Sequence, residues 1–374
     1  MTHLNKVLHN LKKFFCSIFS RRTLIVLIIT LVLLEVTLDI WISRFADLDN
    51  FMSYATIEET IARRKPRFEK HHYLNYALSP NYNREGTHHN KYGFREPDFK
   101  MKKPKGIYRI ATLGGSTTYT EFVKKDRDTY PARLEVELKR LGYTNVEVIN
   151  AGGPGYTSWE SLVNLEFRVL DADPDMLIIY QNVNDIHARL VDPALYRGDN
   201  SGYRKPWVTP AMSWYEHIAV VRVILRLIGR SHNVHGIQSM TKRDNPYRDA
   251  LKTQAQKENL LKKNKPLYYR RNIENMIGIA RIHGIDVMLA TWAYNGKKSD
   301  YISEQYYQSG VAEHNKILKN IGKNHNVPVY DFAKEMPGAS CPDCWHDGRH
   351  VTRKGAKIKA KLFARYIDRA GLIR

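Results

Sequence analysis

Four short polar blocks carry the residue types of nucleophilic catalysis. In Leu113-Gly114-Gly115-Ser116-Thr117-Thr118 a serine follows two glycines. Glycine permits the sharp turn that exposes a nucleophilic hydroxyl and points its own N–H at a developing oxyanion. Alone, this block also fits a phosphate cradle at a helix N-terminus, although no G-K-[ST] follows as a P-loop needs. Asn150-Ala151-Gly152-Gly153-Pro154-Gly155-Tyr156-Thr157-Ser158 and Gln181-Asn182-Val183-Asn184-Asp185 supply oxyanion donors, with the Gly155 N–H and the Asn184 amide as candidates. Gly153 competes with Gly155, and any one of these blocks alone reads as an ordinary turn. The last block, Asp347-Gly348-Arg349-His350-Val351-Thr352-Arg353-Lys354-Gly355, supplies a base. The preceding Asp343 to His346 has the same Asp-x-x-His spacing, so spacing does not choose between them.

These blocks need elements to position them. From Arg109 the chain alternates short apolar runs with amphipathic segments, which predicts strands near Arg109 to Leu113, Val146 to Asn150, Met176 to Tyr180, Asp286 to Thr291 and Val327 to Tyr330. Helices are expected between them, including Tyr130 to Leu141 and Ile273 to His283, stopped by Gly142 and Gly284. The predicted fold class is α/β, a three-layer sandwich around a mainly parallel five-stranded sheet. Each of the first three blocks then sits at the C-terminal end of a strand, the edge where such sheets bind ligands. About a hundred residues separate the third and fourth strands, more than a crossover needs, so a helical insertion is expected at about 190–268. Within it, Trp214 to Arg230 has an apolar face of Ile218, Val221, Leu225 and Ile228, suited to a lid helix or to a membrane surface. The Lys-rich run from Lys242 to Lys265 reads as a solvated helix or loop.

In this order the blocks resemble the SGNH (GDSL-like) hydrolase superfamily over about residues 107 to 370: a Gly-x-Ser loop, an Asn-Ala-Gly-x-x-Gly loop, a V-N-D loop, and a late Asp-x-x-His followed by Thr-x-x-Gly. The resemblance implies a flavodoxin-like sheet and a serine esterase. Ser116 would be the nucleophile, His350 the base and Asp347 its orienting acid. Ser116 N–H, Gly155 N–H and Asn184 would form the oxyanion hole. It also favours Asp347 and His350 over the upstream pair, because Val-Thr-x-x-Gly and an amphipathic helix from about Ala356 to Ala370 follow only the second. Two positions depart from the family pattern: Gly115 replaces the usual acidic residue before the nucleophile, and Asn182 replaces the glycine that often opens the third block.

The 374 residues have a formal net charge of +21, suiting anionic lipid or an acidic polysaccharide as neighbour; the topology disfavours nucleic acid. Lys6, Lys12, Lys13, Arg21 and Arg22 precede an apolar stretch, and the 19 residues from Leu24 to Ile42 approach the roughly 20 that cross a bilayer. The expected organisation is a basic cytoplasmic N-terminus (1–22), a signal anchor (23–43), a juxtamembrane connector (44–105) and an exported hydrolase domain (106–374). A cleaved signal peptide is the rival reading. Glu35 and Asp39, four apart on one helix face, interrupt the apolar run near its outer end. Cys341 and Cys344 form a C-P-D-C pair, expected as a disulfide or free thiols, whereas Cys16 stands alone. A zinc site from Cys341, Cys344, His346 and His350 is the competing use, but it would consume the base. No metal or cofactor is required. The expected reaction is hydrolysis of an O-acyl ester, such as acetyl, on a cell-envelope glycan or lipid. An O-acyltransferase using the same acyl-serine, or a non-catalytic glycan-binding relic of the fold, are the alternatives.

Overall fold

Five apolar runs become the five strands of one parallel sheet in the computed structural model, which describes residues 21–45, 67–84, 86–207, 214–228, 253–298 and 301–373. The strands are β1 (Tyr108–Gly114), β2 (Val146–Asn150), β3 (Met176–Tyr180), β4 (Asp286–Ala290) and β5 (Val329–Tyr330). They lie in the order β2-β1-β3-β4-β5, all pairs parallel. The last strand is shorter than its apolar run. Val327 N–H turns back to the Gly322 carbonyl, and Pro328 has no N–H, so the ladder begins only at Val329.

Alternate residues of the strands feed two cores, as period-2 geometry requires of a sheet covered on both faces. Ile110, Ile178 and Met288 pack under α1 (Tyr130–Arg140) and α7 (Arg353–Arg369). Ala111, Leu177, Ile179 and Leu289 face α5 (Leu267–Ile282) and α6 (Gln305–Asn324). Further helices of this body are α2 (Ser158–Asn164), α3 (Val183–Arg189) and α4 (Gln254–Lys263), besides the single turns Ser116–Tyr119 and Phe332–Glu335. Thr129 and Thr352 cap α1 and α7, accepting from Ala132 N–H and Gly355 N–H. The chain leaves β1 toward one edge and later returns to β3 on its other side. The C-terminal end of β1 is therefore the topological switch point, and Ser116 follows it directly.

Contacts divide the chain into two units: Met1–Lys65 with Thr209–Met240, and Pro66–Val208 with Thr241–Arg374. The second of these units includes residues 67–105 together with the sheet. Over residues 67–105 the described chain forms no helix. It makes two short antiparallel pairs, Phe68–Glu69 with Ala77–Leu78 and Asn83–Arg84 with Thr87–His88. Pro80, Asn81 and the glycine turn before Thr87 break any helical run there.

The other unit contains the helix Arg21–Arg44, the one described helix long and apolar enough to cross a membrane. It also contains a 3-10 turn, Trp214–His217, and the helix Ala219–Leu227. Within this unit the Glu35 carboxylate accepts hydrogen bonds from Ala219 N–H at 2.6 Å and Val220 N–H at 2.9 Å. Leu38, Ile42, Ala219 and Val223 pack together beside that cap. Lys6, Lys12, Lys13, Cys16 and the run from Lys242 to Lys252 lie outside the described residues.

Candidate active site

Ser116 begins a single helical turn, Ser116–Tyr119, at the end of β1. As the first residue of that turn, its N–H has no partner within the helix. Gly114 has φ +158 and Gly115 is extended. A Cβ at 115 would lie 2.5 Å from the Asn184 Nδ2, so the acid that the family usually has there would need this amide to shift. Beyond the serine, Thr120 adopts a left-handed conformation (φ 64) and ends the turn. The buried Arg95 guanidinium holds this end by donating to the carbonyls of Tyr119 at 3.1 Å and Thr120 at 2.9 Å.

Ser116 Oγ and His350 Nε2 are 2.8 Å apart, and His350 Nδ1 is 2.8 Å from Asp347 Oδ2. The other Asp347 oxygen accepts the backbone N–H groups of Arg349 and His350, each at 2.7 Å, so the carboxylate is locked in its own turn. Burial acts to raise the Asp347 pKa. The hydrogen bonds from His350 and the two backbone donors outweigh it and hold the group below the ordinary aspartate value. His346 is elsewhere: its exposed ring stacks on Phe122 at 3.9 Å, and Phe122 meets His350 edge-on at 5.0 Å.

The loop before α7 keeps His350 in register. Trp345 bridges Val351, His346 N–H donates to the His350 carbonyl, and Thr352 N–H to the Cys344 carbonyl. Gly355 is needed for that approach, because a Cβ there would lie 2.0 Å from Cys344 O. Cys341 and Cys344 are joined as a disulfide, with Cα atoms 5.4 Å apart, so the two sulfurs a zinc site would use are bonded to each other.

Gly153 and Gly155 are separated by their hydrogen bonding. Gly153 N–H is spent on the Gly114 carbonyl at 3.0 Å. Gly155 (φ +78) has its carbonyl turned away to Arg204, which donates at 2.7 Å, while Tyr76 Oη donates to Pro154 O at 2.5 Å. The Asn184 Nδ2 donates to Tyr156 O at 2.8 Å, leaving one of its two hydrogens to point elsewhere. Below this loop Thr157 and Glu160 form a capping box on α2. Asp185 accepts from Ser158 N–H and Oγ and from the Gln181 amide. Its burial outweighs those donors and pushes its pKa up to about 7.

Tyr76, Arg95, Arg204 and Lys359 support the site without any motif to mark them. Lys359 is the least expected, since it stands among the surface lysines of Arg353-Lys354-Gly355-Ala356-Lys357-Ile358-Lys359. It is buried, donates to the Thr117 carbonyl at 3.2 Å and lies 3.7 and 3.9 Å from the ring centroids of Tyr180 and Tyr130.

No curated protein matches the chain. Among solved structures it is similar to the lipase/acylhydrolase from Enterococcus faecalis, with 20% identity, a TM-score of 0.43, and coverage of 71% of this chain and 97% of that one. A GDSL-like lipase from Bacteroides thetaiotaomicron is 16% identical, with a TM-score of 0.41 and coverage of 72% and 92%. An acetylxylan esterase from Geobacillus stearothermophilus is 14% identical, with a TM-score of 0.40 and coverage of 70% and 94%. The family model for GDSL-like lipases and acylhydrolases matches residues 112–358, from the end of β1 to the middle of α7. With its parallel five-stranded sheet and helices on both faces, the chain belongs to the GDSL-like lipase/acylhydrolase family and has the α/β SGNH hydrolase fold.

Proposed function

We propose that the protein is a membrane-anchored serine esterase that removes an O-acyl group from an extracytoplasmic glycan or lipid. The observation that carries this reading is the continuous relay Asp347–His350–Ser116, with both links at 2.8 Å, at the C-terminal end of β1. His350 Nε2 takes the Ser116 proton as Oγ attacks the ester carbonyl, and Asp347 stabilises the imidazolium that results. The negative oxygen of the tetrahedral adduct faces the N–H groups of Ser116 and Gly155 and the Asn184 amide, each worth roughly a hundredfold or more in rate. His350 then protonates the leaving alcohol, leaving an acyl-serine. Water activated by the same histidine releases the acid. Transfer to a second sugar hydroxyl would use the same intermediate, and product analysis with and without an acceptor separates the two outcomes. The exposed Phe122 ring, stacked on His346 beside His350, offers a flat apolar surface for a sugar ring or an acyl chain.

The test is turnover of p-nitrophenyl acetate and longer esters by the purified full-length protein, with a fluorophosphonate probe to trap the nucleophile. A covalent adduct on Ser116 is expected, together with loss of hydrolysis in a folded Ser116→Ala variant. Unchanged turnover in that variant would end the assignment.

A further inference from the structure

We propose that the segment 214–228 is a second membrane-embedded element, a short re-entrant helix seated on the anchor and facing lipid acyl chains. This rests on reading Arg21–Arg44 as the membrane span. Glu35 lies nine residues before Arg44, so at 1.5 Å per residue it sits about 13 Å below Arg44 and about 21 Å from Arg21 along the helix axis. That is well inside a hydrocarbon layer of roughly 30 Å. A carboxylate at that depth needs donors, and Glu35 has them: the first two N–H groups of Ala219–Leu227, at 2.6 and 2.9 Å. A helix N-terminus also carries a partial positive charge, which suits this partner. Whatever depth Glu35 occupies, Ala219 shares it.

The surfaces of the short helix agree with that position. Ala219 and Val223 pack on Leu38 and Ile42 of the long helix. Arg222, three residues beyond Ala219, is buried and donates to the His217 carbonyl at 3.0 Å, whereas Arg226 is exposed. Ile224, Leu227 and Ile228 are exposed, Leu227 at 79%, and so is Trp214 at 78%. The segment thus buries one arginine while leaving its largest apolar groups outward, an arrangement that water does not favour. The outward residues are of the same kind as the exposed Leu31, Leu34 and Val36 of the long helix.

The experiment uses the full-length protein carrying Cys16→Ser, reconstituted in phosphatidylcholine/phosphatidylglycerol vesicles. An environment-sensitive NBD label is attached in turn at Leu227→Cys, at Leu31→Cys in the long helix, and at Lys361→Cys on the exposed side of α7. Nitroxide on the lipid acyl chains is expected to quench the labels at 31 and 227 several-fold more than the label at 361, and aqueous iodide to do the opposite. If the label at 31 is quenched and that at 227 behaves like 361, the re-entrant element is overturned while the anchor stands. If both behave like 361, the anchor reading fails, and this inference with it. In Glu35→Leu the lipid quenching at 227 is expected to fall at least twofold with 31 unchanged. No change would overturn the holding role of the carboxylate.

Discussion

Two histidines four residues apart compete for the role of base, and their surroundings separate them. His350 is buried between Asp347 and Ser116, whereas His346 is exposed and touches the site only through Phe122. His350→Ala is expected to lower kcat on p-nitrophenyl acetate by about ten-thousand-fold. His346→Ala should stay within several-fold of the parent. The reverse order in steady-state kinetics would move both triad assignments upstream to Asp343 and His346. The motif residues could be proposed from the sequence because Ser116, Asp347 and His350 stand in short polar blocks with recognisable spacing. Lys359 was not, because nothing local distinguishes a lysine aimed inward between two tyrosines from its exposed neighbours Lys357 and Lys361. Burial pushes its pKa well below the lysine value of 10.5. The native state therefore binds fewer protons than the unfolded chain over the range just below 10.5, and this group's contribution to stability rises with pH there. Lys359→Met should flatten that slope and leave Tm equal or higher, since removing a buried ammonium with no carboxylate partner is often neutral or favourable. It should nonetheless lower kcat by about tenfold, because Thr117 O loses its donor beside the nucleophile. Parallel thermal melts and kinetics read that split.

At the scale of elements, the loop carrying Asp347 and His350 is stapled at one end by Cys341–Cys344 and at the other by the start of α7. Replacing both cysteines by serine should cost about 2 kcal/mol, the closure entropy of a four-residue ring, and should reduce kcat more than KM; denaturant titration and kinetics measure both. The α2–α3 junction makes a pH prediction. The raised Asp185 pKa, about 7 against an ordinary 3.8, means that the native state holds a proton between those values that the unfolded chain has lost. Its contribution is fully present below about 3.8 and is lost as pH rises through about 7. In Asp185→Asn this loss should vanish, so the Tm of the variant relative to the parent should climb between pH 4 and pH 7. Strands β2 and β3 were legible to the residue: β3 is fully buried and reads as an unbroken apolar run, and β2, at the sheet edge, keeps three apolar residues around Glu147 between turns. Residues 67–105 were not, since their order comes from side chains that reach far along the sequence, such as Arg67 to Glu121 at 2.7 Å and His89 to Tyr119 at 2.8 Å. Such partners leave no periodicity.

For the molecule as a whole, the basic residues ahead of Leu24 give the expected orientation, with the N-terminus cytoplasmic and the hydrolase domain exported. Alkaline phosphatase fused after Arg374 should then be active, and a reporter that works only in the cytoplasm should be silent. The excursion of the chain between β3 and β4 was legible as an insertion from its length, but its destination was not. Segment Thr209–Met240 groups with Met1–Lys65, and the contact that records this, Glu35 with Ala219, joins residues 184 apart. That separation sets an order in time. A ribosome adding 5–20 residues per second needs roughly 10 to 40 s to go from Glu35 to Ala219. Throughout that interval the long helix holds a carboxylate whose backbone donors have not been made, so water or lipid headgroups must serve it. On the proposed reading of this helix as a membrane anchor, the newly inserted anchor would be a poorer membrane helix than the finished one, and a chain halted before Thr209 would keep that unmatched carboxylate for as long as it lasted.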